Sequence, residues 1–343
     1  MRAWLPGFQR PALVLAPMQD VTHHAFLRVM HAYGDPDWYV TEYTRVYENA
    51  RVDPAVAKCF EENPTGQPVV AQMIGRSIPD LVRVAVEMEK RGASGIDLNL
   101  GCPAPVVCRK DAGGGLLRQP EHVDRIIGTL RDSLQGTFTV KTRVGYESKE
   151  EFPRLLDVFR RHAIDGLTVH GRTVRDGYAT PVHLDAIRIA VETMPCPVIA
   201  NGNAVSTRTA LALWERTGAA GVMIGRGAIR DPWLFKRIRS HCEGIPAPAP
   251  TMRDLRGYIQ TLWDVLRIPG TPENRLVQAM KKFLNFTADG VSEGNVFLHE
   301  IRRASTPEEF HGICDRHLHS DELLPEEPPL DSGSFRGFGP LTR

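Results

Sequence analysis

The sequence predicts a (β/α)8 barrel of the TIM type followed by a small all-helical C-terminal domain. Eight short apolar runs recur between residues 12 and 227, each bounded by turn residues. The stretches between them carry apolar residues at helical spacing. Strand and helix therefore alternate eight times, the pattern of a parallel barrel. The chain has 343 residues and is 42% hydrophobic, enough for one large core. A doubly wound sheet is the competing arrangement, but no GxGxxG follows the first strand.

Taken in order, the strands are expected at 12–18 (ALVLAPM), 38–43 (WYVTEY), 68–75 (PVVAQMIG), 95–101 (GIDLNLG), 138–145 (FTVKTRVG), 166–171 (GLTVHG), 197–202 (PVIANG) and 221–227 (GVMIGRG). DLVRVAVEMEKRG, with its glycine stop, and HVDRIIGTLRDSL exemplify the helices between them. The barrel domain is assigned to 1–243, and the prolines of EGIPAPAP make 244–250 an extended linker. Beyond it Leu255, Ile259, Leu262 and Leu266 share one helical face, as do Leu276, Met280 and Phe283. Thr306, Pro307 and Glu309 announce a third, capped helix, so 251–320 is expected to be a helical domain. Residues 321–343 open on DELLPEEPPLD, acidic and proline-rich, and are expected to be a solvated, disordered tail.

A net charge of +1 announces no nucleic-acid partner globally. Locally, Arg226 to Lys282 holds eleven Lys/Arg against five Asp/Glu, a basic stretch suited to phosphate contacts. The apolar run near the N-terminus is far short of the ~20 residues of a membrane span, so a cytoplasmic protein with no membrane contact is expected. Six cysteines (59, 102, 108, 196, 242 and 314) form no CxxC pair, which speaks against a disulfide framework or a metal site.

In a barrel the C-terminal ends of the strands carry the chemistry. Here they present Met18 and Gln19, Gln72, Asn99 and Cys102, Lys141 and Arg143, His170, Asn201 and Asn203, and Gly225 and Arg226. The ANGN and GRGAIRDPWLF segments offer backbone amides and an arginine where barrels usually hold a phosphate. A helix starting at Asp231 and Pro232 is expected to aim its positive end there. Gly113 to Gly115 suit either a loop that lies close to a ligand or moves over the site, or a helix start needing flexibility.

LAPMQDVT, QMIG, DLNLGCPAP, VKTRVG, VHGRT with GY following, VIANGN and GVMIGRGAIRDPWLF resemble, in order and spacing, the tRNA-dihydrouridine synthases. The resemblance spans the barrel and implies an FMN enzyme that uses NADPH to reduce uridines in tRNA, with the helical tail binding RNA as a monomer. TEYTRV and HGRTVRDGY look most like the branch acting on uridine 16 of the D-loop. By position, the resemblance puts FMN against Pro17, Met18, Gln19, Gln72, Lys141, His170, Asn201, Gly202, Asn203, Gly225 and Arg226. It makes Cys102 the general acid and Asn99, Arg143 and Tyr178 the holders of the uracil ring. Asn203 stands where an acidic residue is frequent, and Gln19 and Asp20 depart from the usual pattern.

The chemistry agrees with those roles. Saturating the C5=C6 bond needs a hydride at C6 and a proton at C5; a flavin supplies the first and a side chain the second. A thiol of ordinary acidity is mostly protonated at neutral pH and can donate. A lysine stabilises negative charge arising on a flavin in a low-dielectric barrel. The alternative is an FMN barrel acting on a small pyrimidine, as dihydroorotate dehydrogenases do, which has no need of Lys281, Lys282 and the basic C-terminal stretch.

Overall fold

A computed structural model describes Leu5, Gly7 and residues 9–178, 180–329, 332, 334 and 335. Eight parallel strands close into a barrel in sequence order: β1 (Ala12–Leu15), β2 (Trp38–Arg45), β3 (Val69–Ile74), β4 (Gly95–Leu100), β5 (Phe138–Arg143), β6 (Gly166–His170), β7 (Val198–Asn201) and β8 (Gly221–Ile224). The seam between the first and last strands is regular, Ala12 pairing with Gly221 and Leu15 with Ile224. Around them run α1 (His24–Tyr33), α2 (Pro54–Glu61), α3 (Ile78–Lys90), α4 (Pro105–Cys108), α5 (Pro120–Ser133), α6 (Phe152–Arg161), α7 (Leu184–Thr193), α8 (Thr207–Thr217), α9 (Arg226–Arg230) and α10 (Leu234–Glu243). All eight strands lie within or overlap the apolar runs read from the sequence.

Side-chain alternation explains where the core and the site lie. On β4, Ile96, Leu98 and Leu100 turn outward into the core between barrel and helices, which leaves Asp97 and Asn99 inside. On β5, Phe138 and Val140 turn outward and leave Thr139, Lys141 and Arg143 inside. The barrel axis is therefore polar along β3 to β7, whereas a separate apolar cluster (Val14, Trp38, Val40, Val70, Ile199, Met223) fills the rest.

After the linker come α11 (Met252–Leu266), α12 (Glu273–Thr287), α13 (Val296–Arg303) and α14 (Pro307–His317). The capping box read at Thr306 and Glu309 is present, as is one at Thr251 and Asp254. These helices share the barrel's outer core: Phe283 packs on Phe26 at 5.5 Å, and the Tyr33 ring meets Trp233 and Tyr258 edge-on. Tyr258 and Thr287 both donate to the Ile229 carbonyl, tying α11 and α12 to α9.

The described part of the C-terminal segment corrects the expectation of a solvated tail. Leu324 is buried, and its amide bonds the Pro250 carbonyl. Glu327 receives two hydrogen bonds from Arg208, at 2.6 and 2.7 Å, and Glu326 accepts from the amide of Thr207 at the start of α8. Buried Arg230 donates to the carbonyls of Pro325, Glu326 and Glu327. Farther on, Ser334 and Phe335 reach Arg226 at the barrel mouth. An acidic run stays solvated only when nothing in the fold pairs with it; here the exposed Arg208 takes the Glu327 carboxylate and the buried Arg230 takes the backbone carbonyls. The remaining tail residues lie outside the described residues.

Candidate active site

Every strand-end residue read from the sequence reaches the C-terminal mouth of the barrel, and register makes most of them neighbours. Asn99 pairs with Lys141, Arg143 with His170, His170 with Asn201 and Gln72 with Asp97. Pro17, Met18 and Gln19 follow β1, and Gly225 and Arg226 follow β8.

Cys102 sits two residues past β4, in a turn held from below. The Asn99 side-chain oxygen accepts from the amides of Gly101 (3.0 Å) and Cys102 (2.9 Å). Its amide nitrogen donates to Gln72 Oε1 at 2.8 Å, and Gln72 Nε2 donates to Asp97 Oδ2 at 2.8 Å. Thr139 closes the chain, donating to Asp97 Oδ1 at 2.6 Å. All four side chains are buried. Asp97, Thr139 and their link to the cysteine turn were missed in the sequence, although an acidic residue at an inward position of a strand is a legible signal. The side chains of Asn99 and Gln72 thus serve this network.

Gly113 to Gly115 open a buried 3-10 turn, Gly113–Arg118, packed on the cysteine. The Gly114 amide donates to the Cys102 carbonyl, and a Cβ at Gly114 would lie 2.9 Å from that oxygen and 2.7 Å from Val174. Close packing explains the glycines. The buried Cys108 thiol also donates to the Cys102 carbonyl, at 3.4 Å, and burial pushes its pKa up.

The adjoining side of the mouth, from β5 onward, is strongly cationic. Burial, opposed in part by Asp97, brings Lys141 down to about 8, and its ammonium makes no hydrogen bond among the described residues. Asp97 is itself pushed up to about 6 by burial. His170 is held well below its ordinary range, first by burial and then by Arg143, Lys141, Arg172 and Arg226 around it. Its Nδ1 is buried without a hydrogen-bond partner among the described residues.

Arg143 is 2% exposed and donates to the carbonyls of Gly101, Thr173 and Gly177, bracing the cysteine turn against the loop after β6. Tyr178 is half exposed, its ring flanked by the guanidinium groups of Arg143 (5.3 Å) and Arg226 (4.9 Å).

The two loops read as a phosphate site are shaped differently from expectation. Gly202 has φ +129°, a conformation that favours glycine, and a Cβ there would lie 3.0 Å from Val182. Asn201 donates to the Met223 carbonyl, and Asn203, at φ 58°, accepts from Arg172. The Arg226 Nη1 bonds the Ser334 carbonyl, and its guanidinium lies 4.9 Å from the Tyr178 ring and 5.8 Å from the Phe335 ring. The helix directly beside them is α9, which starts at Arg226; Asp231 ends it, accepts the Trp233 and Leu234 amides that open α10, and pairs, fully buried, with Arg237 at 3.1 Å. Gln19 donates to Glu42, and Asp20 pairs with Lys282 at 3.3 Å.

A family model described as dihydrouridine synthase matches residues 14–321. The chain belongs to the dihydrouridine synthase family. It is 28% identical over 319 residues to the tRNA-dihydrouridine(16) synthase of Neisseria meningitidis serogroup A, covering 91% of this chain and 96% of that one. It is 31% identical over 320 residues to the tRNA-dihydrouridine(16) synthase of Pseudomonas syringae pv. tomato, covering 89% and 96%. To that of Cupriavidus necator it is 32% identical over 294 residues, covering 80% and 88%. Among solved structures it is similar to histamine dehydrogenase from Rhizobium sp. 4-9, with a TM-score of 0.52, 12% identity and coverage of 73% of this chain. The chain spans about half that molecule (49%), and the likeness bears on the fold alone.

This dihydrouridine synthase family member is an enzyme, and its cationic mouth is its candidate active site. Several cations of the basic stretch from Arg226 to Lys282 are buried or held in ion pairs, which narrows the part of it open to phosphate contacts. Arg230 and Arg237 are buried, Arg239 pairs with Asp37, Arg253 with Asp321 and Arg256 with Asp315. Lys236, Arg267 and Arg275 remain exposed, as do the paired Arg253 and Lys282, the latter on Asp20. Behind the cysteine turn lies a largely apolar cavity of about 350 Å3, lined by Arg45, Tyr47, Ile74, Arg76, Val107 and Lys110 among others. Among the described residues there is no group of three or more metal-ligating side chains, and no helix is long and apolar enough to cross a membrane.

Proposed function

We propose that this chain reduces uridine 16 of the tRNA D-loop to 5,6-dihydrouridine, with FMN bound in the barrel mouth, NADPH as reductant and Cys102 as the proton donor. The observation that carries this reading is the pairing of an unbonded Lys141 ammonium with an orphaned, buried His170 Nδ1 inside a ring of arginines. Buried polar atoms without partners are costly unless a ligand supplies them, and a cationic mouth suits a phosphorylated group that gains negative charge on reduction. The residues present therefore fit FMN: Lys141 and His170 toward its ring, the amides of 202–203 and 225–226 toward its phosphate. When bound, the flavin supplies the hydride that NADPH provides.

The chain's own residues supply the rest. Tyr178, the aromatic ring at the rim, holds the uracil that leaves its stack; Arg143 supports that ring from behind. Asn99 sets the turn that aims the Cys102 thiol at C5. As C6 accepts the hydride, the thiol gives its proton to C5, and solvent reprotonates the sulfur. Position 16 rests on the relatives named for it and on the TEYTRV and HGRTVRDGY segments.

The flavin assignment is tested at Gly202. Valine holds φ +129° only at a cost of about 1–3 kcal/mol, so the loop relaxes when empty and binding must restore that strain; Gly202→Val is expected to weaken FMN retention roughly 5- to 150-fold in a fluorescence titration. Unchanged retention, or FAD released from the wild type on heating, contradicts the assignment.

RNA binding is assigned to Lys281 and Lys282 of α12, beside the mouth. Lys281→Glu with Lys282→Glu is expected to weaken tRNA binding and to flatten its salt dependence by about one log unit per log unit of salt for each phosphate no longer neutralised. Flavin reduction by NADPH should stay at the wild-type rate. Unaltered tRNA affinity would remove these lysines from the interface.

A further inference from the structure

The network beneath the cysteine turn has a direction, and one residue sets it. A carboxylate only accepts, whereas an amide side chain donates from one end and accepts at the other. Asp97 accepts at both oxygens, so Gln72 must present its nitrogen to Asp97 and its oxygen to Asn99. Asn99 must then present its nitrogen to Gln72, which leaves its oxygen facing the two backbone amides of the turn. Reversing either amide would set donor against donor at Gly101 and Cys102, or leave Asp97 without its donor. With Gln72 0%, Asp97 3% and Asn99 6% exposed, water has no access to repair such a mismatch.

We propose that Asp97 is a positioning residue for Cys102: its carboxylate fixes the polarity of the Gln72–Asn99 chain and so holds the turn that carries the thiol. Asp97 touches neither the thiol nor the substrate, and it acts only through the two amides. The inference deepens the reading above, on which its catalytic meaning rests.

The test uses full-length, flavin-loaded protein. Asp97→Asn is isosteric but can donate where the carboxylate only accepted, so the chain no longer has one enforced polarity; with the introduced nitrogen toward Gln72, the amides of Gln72 and Asn99 reverse and the turn is deprived of its acceptor. Alkylation of Cys102 by iodoacetamide, followed by mass spectrometry, is expected to speed up at least fivefold. Oxidation of the pre-reduced enzyme by saturating tRNA is expected to slow at least tenfold, with KM for tRNA within threefold of wild type. The double variant Asp97→Asn with Gln72→Glu moves the carboxylate one link along the chain. The carboxylate introduced at position 72 then accepts from both neighbours and Asn99 returns to its native orientation, so alkylation should return to within twofold of wild type. A purely structural defect at Asp97 would not be rescued by a second substitution.

Alkylation of Asp97→Asn within twofold of wild type overturns the proposal, as does a double variant no better than the single one. Should Asp97→Asn not fold, the double variant decides by the same alkylation criterion. Cys102→Ala separates the two readings: if it is oxidised by tRNA at the wild-type rate, the acid assignment fails, while the alkylation rates still judge the role of Asp97.

Discussion

Alanine at Cys102 is expected to leave FMN bound, flavin reduction by NADPH intact and tRNA affinity unchanged, while the oxidation of reduced enzyme by tRNA slows by about 10²- to 10⁴-fold, the range of a lost general acid. The physical basis is local. The thiol stands on a turn fixed by two hydrogen bonds to Asn99, braced through Gly101 by Arg143 and packed against Gly114 without room for a Cβ. Such a turn has no need of a side chain larger than alanine for its own stability. A Cys102→Ala rate within threefold of wild type in single turnover would end the assignment, and Cys108→Ala, at a thiol that only donates to the Cys102 carbonyl, should be close to neutral.

Arg230→Ala is expected to cost about 3 kcal/mol of stability and lower the thermal midpoint by several degrees. The 2%-exposed guanidinium makes three charge-assisted hydrogen bonds to the carbonyls of 325–327, each worth about 1.5–3 kcal/mol, offset as water reaches the freed carbonyls. It also faces fully buried Asp231, which is left with Arg237 alone as its strong cationic neighbour. Urea denaturation and limited proteolysis read both effects: a lower midpoint, and faster cleavage beyond residue 321 once the strap is released. A midpoint within one degree of wild type and unchanged proteolysis would show that the strap does not depend on this arginine.

Cys102 and Arg230 differ in how visible their roles are in the sequence. The barrel was legible because short apolar runs and helical spacing are local patterns, and strand ends are known once the strands are. Cys102, Lys141 and His170 could be placed at the mouth for the same reason. The docking of the acidic run that begins at 321 and the ion pairs within the basic stretch at 226–282 were not legible, because charge along a chain says nothing of pairing across it. Arg230 and Glu326 stand 96 residues apart and meet only through the fold. Asp231 opens the turn into α10, as expected, and also ends α9, a short helix directly after β8 that the sequence reading did not separate. Asp97 was readable in principle: GIDLNLG alternates, and its inward positions are Asp97 and Asn99. What the sequence does not convey is that one oxygen of Asn99 serves two amides, a matter of angle and distance.

Roles for Arg143 and Arg226 shifted for a related reason. An arginine at a strand end reads as a ligand contact; Arg143 in addition gives its Nε and Nη1 donors to three backbone carbonyls, and Arg226 gives Nη1 to the Ser334 carbonyl and lies against two aromatic rings. Planar guanidinium groups satisfy backbone carbonyls as readily as phosphates.

Uridine reduction in tRNA is tested most directly by mapping dihydrouridine in tRNA lacking the modification after incubation with the purified protein, FMN and NADPH. Dihydrouridine is expected at position 16 of the D-loop with wild-type protein and none above background with Cys102→Ala. Unmodified tRNA alongside reduction or oxidation of a free pyrimidine such as dihydroorotate would contradict the proposed function.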